Sequence, residues 1–124
     1  MGVLFEKILS ETDTNKRLSI PTRCLAYFTG SVLDQEAYAV ELKVKDHQMG
    51  YVHTFYCTTR KRGYKKPVFS KGWVNYVRQR NLRVGDKVVF RREGDGEGGF
   101  VYKIEAKRRL RLMGQLYWST VPEK

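Results

Sequence analysis

Residues 70–90 read SKGWVNYVRQRNLRVGDKVVF and hold the most informative succession of segments in the chain. Trp73, Tyr76 and Val77 recur at helical spacing, which predicts a short helix over Lys71–Arg80 with these three side chains on its buried face. The apolar run Val88–Phe90 at the end of the stretch indicates a strand. A helix that leads through a tight turn into a strand is therefore expected here.

The ends of this helix carry recognisable signals. Ser70 is a suitable N-cap, and Asn81 is expected to end the helix. Arg78 and Arg80 are predicted to lie on its outer face. Residues 82–86, which contain Gly85, are then expected to turn into the next strand.

Two pairs of strand-like segments predict hairpins, and three of the four segments, all but Lys87–Arg92, alternate between apolar and polar residues. The first pair is Tyr38–Lys45 with Tyr51–Thr58, joined by a turn-like polar segment. The second pair is Lys87–Arg92 with Phe100–Lys107, joined across a glycine-rich segment. Strands paired in this way indicate a mainly β protein.

Further elements complete the predicted fold. Leu4–Leu9 and Leu110–Trp118 are short strand candidates, and a first helix is expected to begin at Pro21 and to end near Gly30. Residues from Ser119 onward are expected to be loose. Many short strands with two short α-helices between them favour a closed or nearly closed β-barrel.

Composition limits the possible functions. A chain of 124 residues provides one domain and one core. A net charge of +11 and a pI near 9.8 indicate nucleic acid as a partner before an anionic membrane, and no apolar run is long enough to span a bilayer. Cys24 and Cys57 have no partners at metal-ligand spacing and are predicted to be core thiols.

The basic residues are unevenly placed. Between Asp46 and Asp86 there is no acidic residue, whereas solvated faces usually mix both signs of charge. Because such a cluster repels itself, a polyanionic partner is the favoured interpretation, and a solvated loop without a partner is the alternative. The basic residues of this gap are Arg60, Lys61, Arg62, Lys65, Lys66, Lys71, Arg78, Arg80 and Arg83.

Segment Thr58–Lys66 is the densest part of the gap. Its arginines have planar forks suited to guanine edges or phosphate, its lysines are suited to phosphate, and Tyr64 can stack or pack on a sugar. A second polar segment, Thr12–Arg17, contains Asn15, which can read adenine, followed by Lys16 and Arg17. The alternative for this second segment is an ordinary Asx-turn.

A third basic cluster, Lys107–Arg111, admits three interpretations: phosphate contact, a nuclear import signal, or a strand edge protected by charge against pairing.

No catalytic arrangement is recognised. His47 and His53 have no nucleophile or carboxylate at motif spacing, and the carboxylates show no metal-site spacing. We therefore expect no enzyme activity, no cofactor, no metal site and no small-molecule substrate.

The order of motifs identifies a family. Arg17-Leu18-x-Ile20-Pro21, then Ser70-Lys71-Gly72-Trp73-x-x-Tyr76-Val77, then Leu82-x-x-Gly85-Asp86-x-Val88-x-Phe90 resembles the plant-specific B3 DNA-binding domain. The resemblance covers about Leu4 to Ala106. It implies a seven-stranded open pseudobarrel with two short helices, similar to the recognition domains of certain restriction endonucleases. It also implies major-groove binding between an N-arm and a C-arm, here Thr12–Arg17 and Thr58–Lys66.

The resemblance implies a sequence-preferring, double-stranded DNA-binding module of a plant transcription factor, monomeric and nuclear. The alternative is a B3-like fold used for non-specific nucleic-acid binding or for protein interaction. Residues 4–112 would form the domain and residues 113–124 a C-terminal strand or tail. Since the arm sequence Arg60-Lys61-Arg62-Gly63-Tyr64 departs from known subfamilies, no target sequence follows. Expected base-reading residues are Asn15, Arg17, Arg60, Arg62, Tyr64 and Lys66, and expected phosphate contacts are Lys16, Arg23, Lys61, Lys65 and Lys71.

Overall fold

The computed structural model describes residues 2–24, 38–59, 66–94, 96 and 99–121. Within them it contains two α-helices and eight strands. The helices are α1 (Glu11–Asn15) and α2 (Trp73–Arg80). The strands are β1 (Gly2–Ile8), β2 (Leu18–Ser19), β3 (Tyr38–Asp46), β4 (Val52–Thr59), β5 (Val68–Phe69), β6 (Lys87–Gly94), β7 (Phe100–Leu112) and β8 (Gln115–Thr120).

Seven of these strands form one continuous path in the order β1-β6-β7-β3-β4-β5-β2. Neighbours in the path are antiparallel except β3 and β7, which run parallel, with Val44 opposite Tyr102. The eighth strand, β8, pairs with the C-terminal half of β7. The predicted mainly β fold with seven strands and two short helices is confirmed, and β8 is an addition to it.

The two ends of the path are joined by side chains. The Lys7 ammonium on β1 donates a 3.2 Å hydrogen bond to the backbone carbonyl of Ser19 on β2. The Arg23 guanidinium donates a 3.1 Å hydrogen bond to the Leu4 carbonyl on β1. Because side chains rather than a backbone ladder bridge the end strands, the sheet forms an open pseudobarrel.

Both predicted hairpins are present. β3 pairs with β4 from Tyr38 opposite Thr59 to Lys45 opposite Val52, and β6 pairs with β7 from Lys87 opposite Lys107. At the β3–β4 turn, the Asp46 carboxylate accepts backbone hydrogen bonds from the two residues at positions 48 and 49, at 2.9 and 2.7 Å. An aspartate that caps its own turn fixes the hairpin register.

Aromatic rings fill the core. The Phe90 ring lies 5.3 Å from those of Phe5 and Phe69, and all three are buried. Cys24 and Cys57 are buried free thiols, as predicted, and burial raises the pKa of the Cys57 thiol to about 12. The alternation of apolar residues along the strands is what brings these side chains to one face.

Helix α2 depends on Gly72 rather than on Ser70. The N-cap is Gly72 with φ +90°, and no side chain caps the helix, so the prediction of Ser70 as N-cap was wrong. A Cβ on Gly72 would lie 1.9 Å from the Thr54 carbonyl oxygen. Ser70 instead donates its hydroxyl to the Tyr56 carbonyl at 3.2 Å. The close approach to β4 explains why glycine occupies this position.

The buried face of α2 holds Trp73, Tyr76 and Val77, as predicted, and Asn81 ends the helix in the left-handed conformation. Arg80 was predicted to lie outside, but its side chain is only 2% exposed. Its Nε lies 3.1 Å from Asp46 Oδ2, although the N–H is not aimed along that line. Its Nη2 donates to Gln48 and to the Val121 carbonyl. Helical periodicity could not distinguish this arginine because its partners lie on distant segments.

The polar segment after β1 is a helix, not the predicted loop or Asx-turn. Ser10 and Asp13 form a reciprocal capping box at the start of α1. Asp13 is buried and also forms a 3.0 Å ion pair with Lys7. The first predicted helix is described only as a 3-10 turn at Thr22–Cys24, and residues 25–37 lie outside the described part.

The C-terminal region is a hairpin, so the prediction of one strand over Leu110–Trp118 was wrong. Met113 and Gly114 both have positive φ, 52° and 79°, and connect β7 to β8. Two positive φ values in a two-residue loop are typical of the turn that matches strand twist. Residues 119–121 are not loose, contrary to the prediction, because Val121 is 1% exposed and donates its N–H to the Ala106 carbonyl at 3.0 Å. Residues 122–124 lie outside the described part.

Candidate nucleic-acid interface

Three strand ends meet on the outer face of the pseudobarrel. β5 pairs with β2 on one side and with β4 on the other, so Val68 lies opposite both Ser19 and Thr58. The next position along each strand is directed into the core, where Leu18, Cys57 and Phe69 are buried. Since side chains alternate across a strand, the neighbours of these core residues face outward.

These outward-facing residues line a cleft of about 230 Å³. Arg17 enters it from the segment that precedes β2, and Lys66 enters it from the segment that precedes β5. The lining residues are Arg17, Thr58, Thr59, Lys66, Val68 and Ser70. The cleft therefore joins the end of the predicted N-arm to the base of the predicted C-arm, and none of its lining residues is acidic.

Lys71 and Tyr56 lie next to this cleft. The Lys71 ammonium is 5.4 Å from the centroid of the Tyr56 ring, and the Tyr56 N–H donates to the Lys71 carbonyl at 3.0 Å. The Tyr56 hydroxyl donates to Glu41 at 3.1 Å, and this bond raises the pKa of Tyr56. Hydrogen bonds from Lys43 first, and from Tyr56 second, lower the pKa of Glu41. Lys71 thus extends the basic surface beyond the cleft.

The acidic residues that flank the basic gap do not reach this surface. Asp46 and Asp86 are 1% and 3% exposed. Asp46 is neutralised by Arg80, and Asp86 receives a bidentate pair of hydrogen bonds from Arg108 at 3.0 and 2.9 Å. Arg80 and Arg108 consequently contribute little to the external field, whereas Arg17, Lys66 and Lys71 carry no such neutralising buried partner in the described residues.

The N-arm residues are not all in one place. Arg17 lines the cleft, whereas Asn15 lines a separate groove of about 340 Å³ between α1 and α2, together with Arg78 and Asn81. Lys16 is exposed after the C-terminus of α1. The position of α1 is fixed from the core side, because the buried Trp73 indole N–H donates to the Asp13 carbonyl at 2.6 Å.

The remaining predicted residues fall into two groups. Arg23 is exposed on the 3-10 turn, and its guanidinium is already hydrogen-bonded to the Leu4 carbonyl on β1. Arg60, Lys61, Arg62, Tyr64 and Lys65 lie outside the described residues. Among the DNA-contacting residues predicted for the C-arm, Lys66 at its base is the one that lies within the described residues.

Sequence reasoning missed the neutral lining of the cleft. Ser70 was interpreted as a helix cap, yet it lines the cleft, and Tyr56 faces outward beside Lys71. The signal that could have found them is alternation: Tyr56 and Thr58 flank the buried Cys57 on β4. Thr58 and Thr59 also line the cleft, and their hydroxyls can hydrogen-bond to phosphates or base edges, whereas the Ser70 and Tyr56 hydroxyls already donate within the protein.

The third basic cluster lies on a strand that is paired on one side. Residues Lys107 to Leu112 pair with β8, and Arg108 forms an ion pair with Asp86. On the other side of β7 the ladder with β6 ends at Lys107, so the interpretation of an edge protected by charge stays a prediction for that side. No group of His, Cys, Asp or Glu side chains suited to a metal ion occurs in the described ranges. Among the helices of those ranges, none is long and apolar enough to cross a membrane.

Comparisons with known proteins agree with this geometry. The sequence matches the family model described as the B3 DNA binding domain over residues 5–108. A solved structure, the Arabidopsis FUS3-DNA complex, is similar in fold, with a TM-score of 0.66 and 18% sequence identity. That likeness covers 84% of this chain and 95% of the other. No curated protein matches the sequence significantly.

Proposed function

Because the chain belongs to the B3 DNA-binding domain family, we propose that it binds double-stranded DNA in the major groove, with a preference for sequence, as a transcription-factor module. The observation that carries the proposal is the cleft that joins Arg17 to Lys66 on one outer face. A major groove is about 12 Å wide and admits a helix or a two-stranded β ribbon, so two short arms on one face suit it.

The roles of the arm residues are part of the proposal. Arg17 and Lys66 would contact base edges from the cleft, and the tip residues Arg60, Arg62 and Tyr64 would reach further into the groove. Asn15 would read a base only if the DNA also passes over the groove between α1 and α2, where it lies. Phosphates would be held by Lys16, Arg23, Lys61, Lys65 and Lys71.

The proposed module acts as a monomer in the nucleus, without catalysis or cofactor. Residues 4–112 would form the binding domain, with β8 and the last residues as an addition. Cleavage of duplex DNA in the presence of Mg²⁺ would overturn the non-catalytic assignment.

Selection from a pool of random duplex DNA tests the proposal most broadly. We expect one enriched sequence motif, and we expect Arg60→Ala combined with Arg62→Ala to weaken binding and to change the motif. An affinity for DNA without any enriched motif would favour the alternative of non-specific binding. If the double variant leaves both affinity and motif unchanged, the C-arm assignment fails.

A further inference from the structure

The hairpin formed by residues 107–120 extends beyond the family match, which ends at residue 108. It also lies away from the arms. β3 begins beside the end of β4, at Tyr38 opposite Thr59, and runs away from the cleft to Asp46. β7 runs parallel to β3, passes Asp46 at Ile104 and continues to Leu112. The hairpin tip is therefore at the opposite end of the sheet from the cleft.

The outer edge of β8 is open for hydrogen bonding. In the described residues β8 pairs with β7 alone. Val121 donates its N–H to Ala106 in the register of the β7–β8 ladder. Since antiparallel ladders alternate, the N–H and C=O groups of Leu116, Trp118 and Thr120 point away from β7.

This edge lacks the usual protection against strand addition. Residues Gln115 to Thr120 contain no charge and no proline, which are the residues that commonly guard edges. At the ends of the sheet path, side chains occupy part of the backbone, because Arg23 donates to Leu4 on β1 and Lys7 donates to Ser19 on β2. On the other side of β7 the ladder with β6 ends at Lys107, and the strand beyond it carries Arg109 and Arg111. β8 thus presents an uncharged edge on which another chain can add.

The two faces of the hairpin specify the chemistry of that chain. One face carries Arg109 and Arg111, which lie opposite Trp118 and Leu116 and are exposed. The opposite face carries Leu110, Leu112 and Tyr117, which are 43, 56 and 47% exposed. A strand beside β8 would meet Leu116, Trp118 and Thr120 on the face that carries the two arginines of β7, and Gln115, Tyr117 and Ser119 on the other face, so long acidic side chains on the first face would extend toward the arginines.

We propose that the edge of β8 binds an extended peptide of a partner protein in which acidic and apolar residues alternate, by addition as a further strand. Backbone hydrogen bonds to Leu116, Trp118 and Thr120 would supply the pairing, and Arg109 and Arg111 would attract the acidic side chains. A second copy of this chain fits less well, since antiparallel pairing of two β8 strands would bring both arginine pairs onto one face, and each chain carries a net charge of +11.

The probe is a labelled peptide of about ten residues in which glutamate and valine alternate, titrated against the full chain. A peptide that alternates lysine and valine is the charge control. We expect the acidic peptide alone to bind, and we expect amide hydrogen exchange to slow at Leu116, Trp118 and Thr120 when it does. The amides of Gln115, Tyr117 and Ser119 already pair with β7 and should change little.

Two protein variants separate backbone pairing from side-chain contact. Leu116→Pro removes an outward N–H without removing a β7–β8 bond, and should weaken the acidic peptide at least about tenfold. Leu116→Val keeps the N–H and should bind like the wild type. Arg109→Glu with Arg111→Glu should also abolish the preference for the acidic peptide.

Several outcomes would overturn this inference. They are equal binding of the two peptides, no binding at millimolar peptide, and equal affinities of the Pro and Val variants. Slowed exchange at the same three amides on raising protein concentration alone would assign the edge to a second copy. A loss of DNA affinity in the arginine variant, without any peptide binding, would assign the hairpin to nucleic acid instead. The inference does not rest on the proposed DNA binding. Substitutions of Arg17 and Lys66 in the cleft leave the β7–β8 hairpin unchanged, so peptide binding can be measured separately from DNA binding.

Discussion

The indole N–H of Trp73 donates a 2.6 Å hydrogen bond to the backbone carbonyl of Asp13, which lies 60 residues earlier in the chain. The bond joins the start of α2 to α1 in the interior. Since Asp13 also caps α1 and pairs with Lys7, the segment that leads to Arg17 is held from three directions. A core tryptophan thereby fixes the approach of the N-arm to the cleft.

Trp73→Phe tests that connection. The variant keeps an aromatic ring but leaves the Asp13 carbonyl without its donor and a gap in the core, and we expect it to lower the free energy of unfolding by about 2–4 kcal/mol. Urea unfolding followed by circular dichroism measures the change. Trp118→Phe is the matched control, because Trp118 is only half-buried on the hairpin. Equal losses in the two variants would contradict the role given to the bond.

Gly72→Ala should destabilise the protein by more than about 3 kcal/mol, since the new Cβ meets the Thr54 carbonyl and the residue keeps a positive φ. Gly50→Ala is its control: Gly50 also has positive φ, +80°, but a Cβ there meets nothing within 4 Å. The control should lose only about 1–2 kcal/mol. Thermal and urea unfolding of both variants provide the comparison, and similar losses would show that the contact with β4 is not what requires glycine.

Arg80→Met leaves the buried Asp46 carboxylate without its cation. We expect a loss of about 3–5 kcal/mol in the free energy of unfolding, because removing one partner of a buried ion pair costs more than the pair contributes. Arg78→Met, on the exposed side of the same helix, should change stability by less than about 1 kcal/mol. Comparable effects at the two positions would contradict the buried network.

His53 should make stability depend on pH. Burial lowers the pKa of its imidazole, Arg80 lowers it further, and Asp46 opposes both effects. The unfolded chain therefore takes up a proton more readily than the folded one. Stability should be highest above the unfolded pKa of about 6.5 and should fall as the pH drops below that value. Urea midpoints between about pH 7.5 and 5 measure the slope, and His53→Gln should flatten it; an unchanged slope would be contrary to this assignment.

Local patterns predicted much of the fold. Alternation in β3, β4 and β7, together with the apolar run of β6, predicted the hairpins, and helical spacing predicted the buried face of α2. What the sequence could not provide were features created by distant contacts. The helical pattern assigns Arg80 to the outer face, and only the folded structure shows that Asp46 and Val121 lie beside its side chain. In the sequence Gly72 is indistinguishable from a loop glycine, and only the folded structure shows that β4 lies against it.

Of the candidate site, too, the sequence indicated the local segments but not the contacts between distant ones. Charge clustering and motif order indicated both arms, and the structure brings Arg17 and Lys66 to one cleft. It separates Asn15 from them, since α1 turns that side chain toward α2. The number of basic residues in the sequence also could not show that Arg108 forms an ion pair with the buried Asp86, whereas Arg109 and Arg111 remain exposed.

The central claim is that DNA is read at the cleft and not simply attracted by net charge. The most direct test is a titration of the selected DNA site and of a scrambled duplex with two double variants that each remove two positive charges. Arg17→Ala with Lys66→Ala should weaken the selected site at least about thirtyfold and reduce the preference over scrambled DNA, since each base contact contributes about 1–3 kcal/mol. Arg109→Ala with Arg111→Ala should leave that preference unchanged. Equal loss of affinity in both variants, on both duplexes, would contradict the claim.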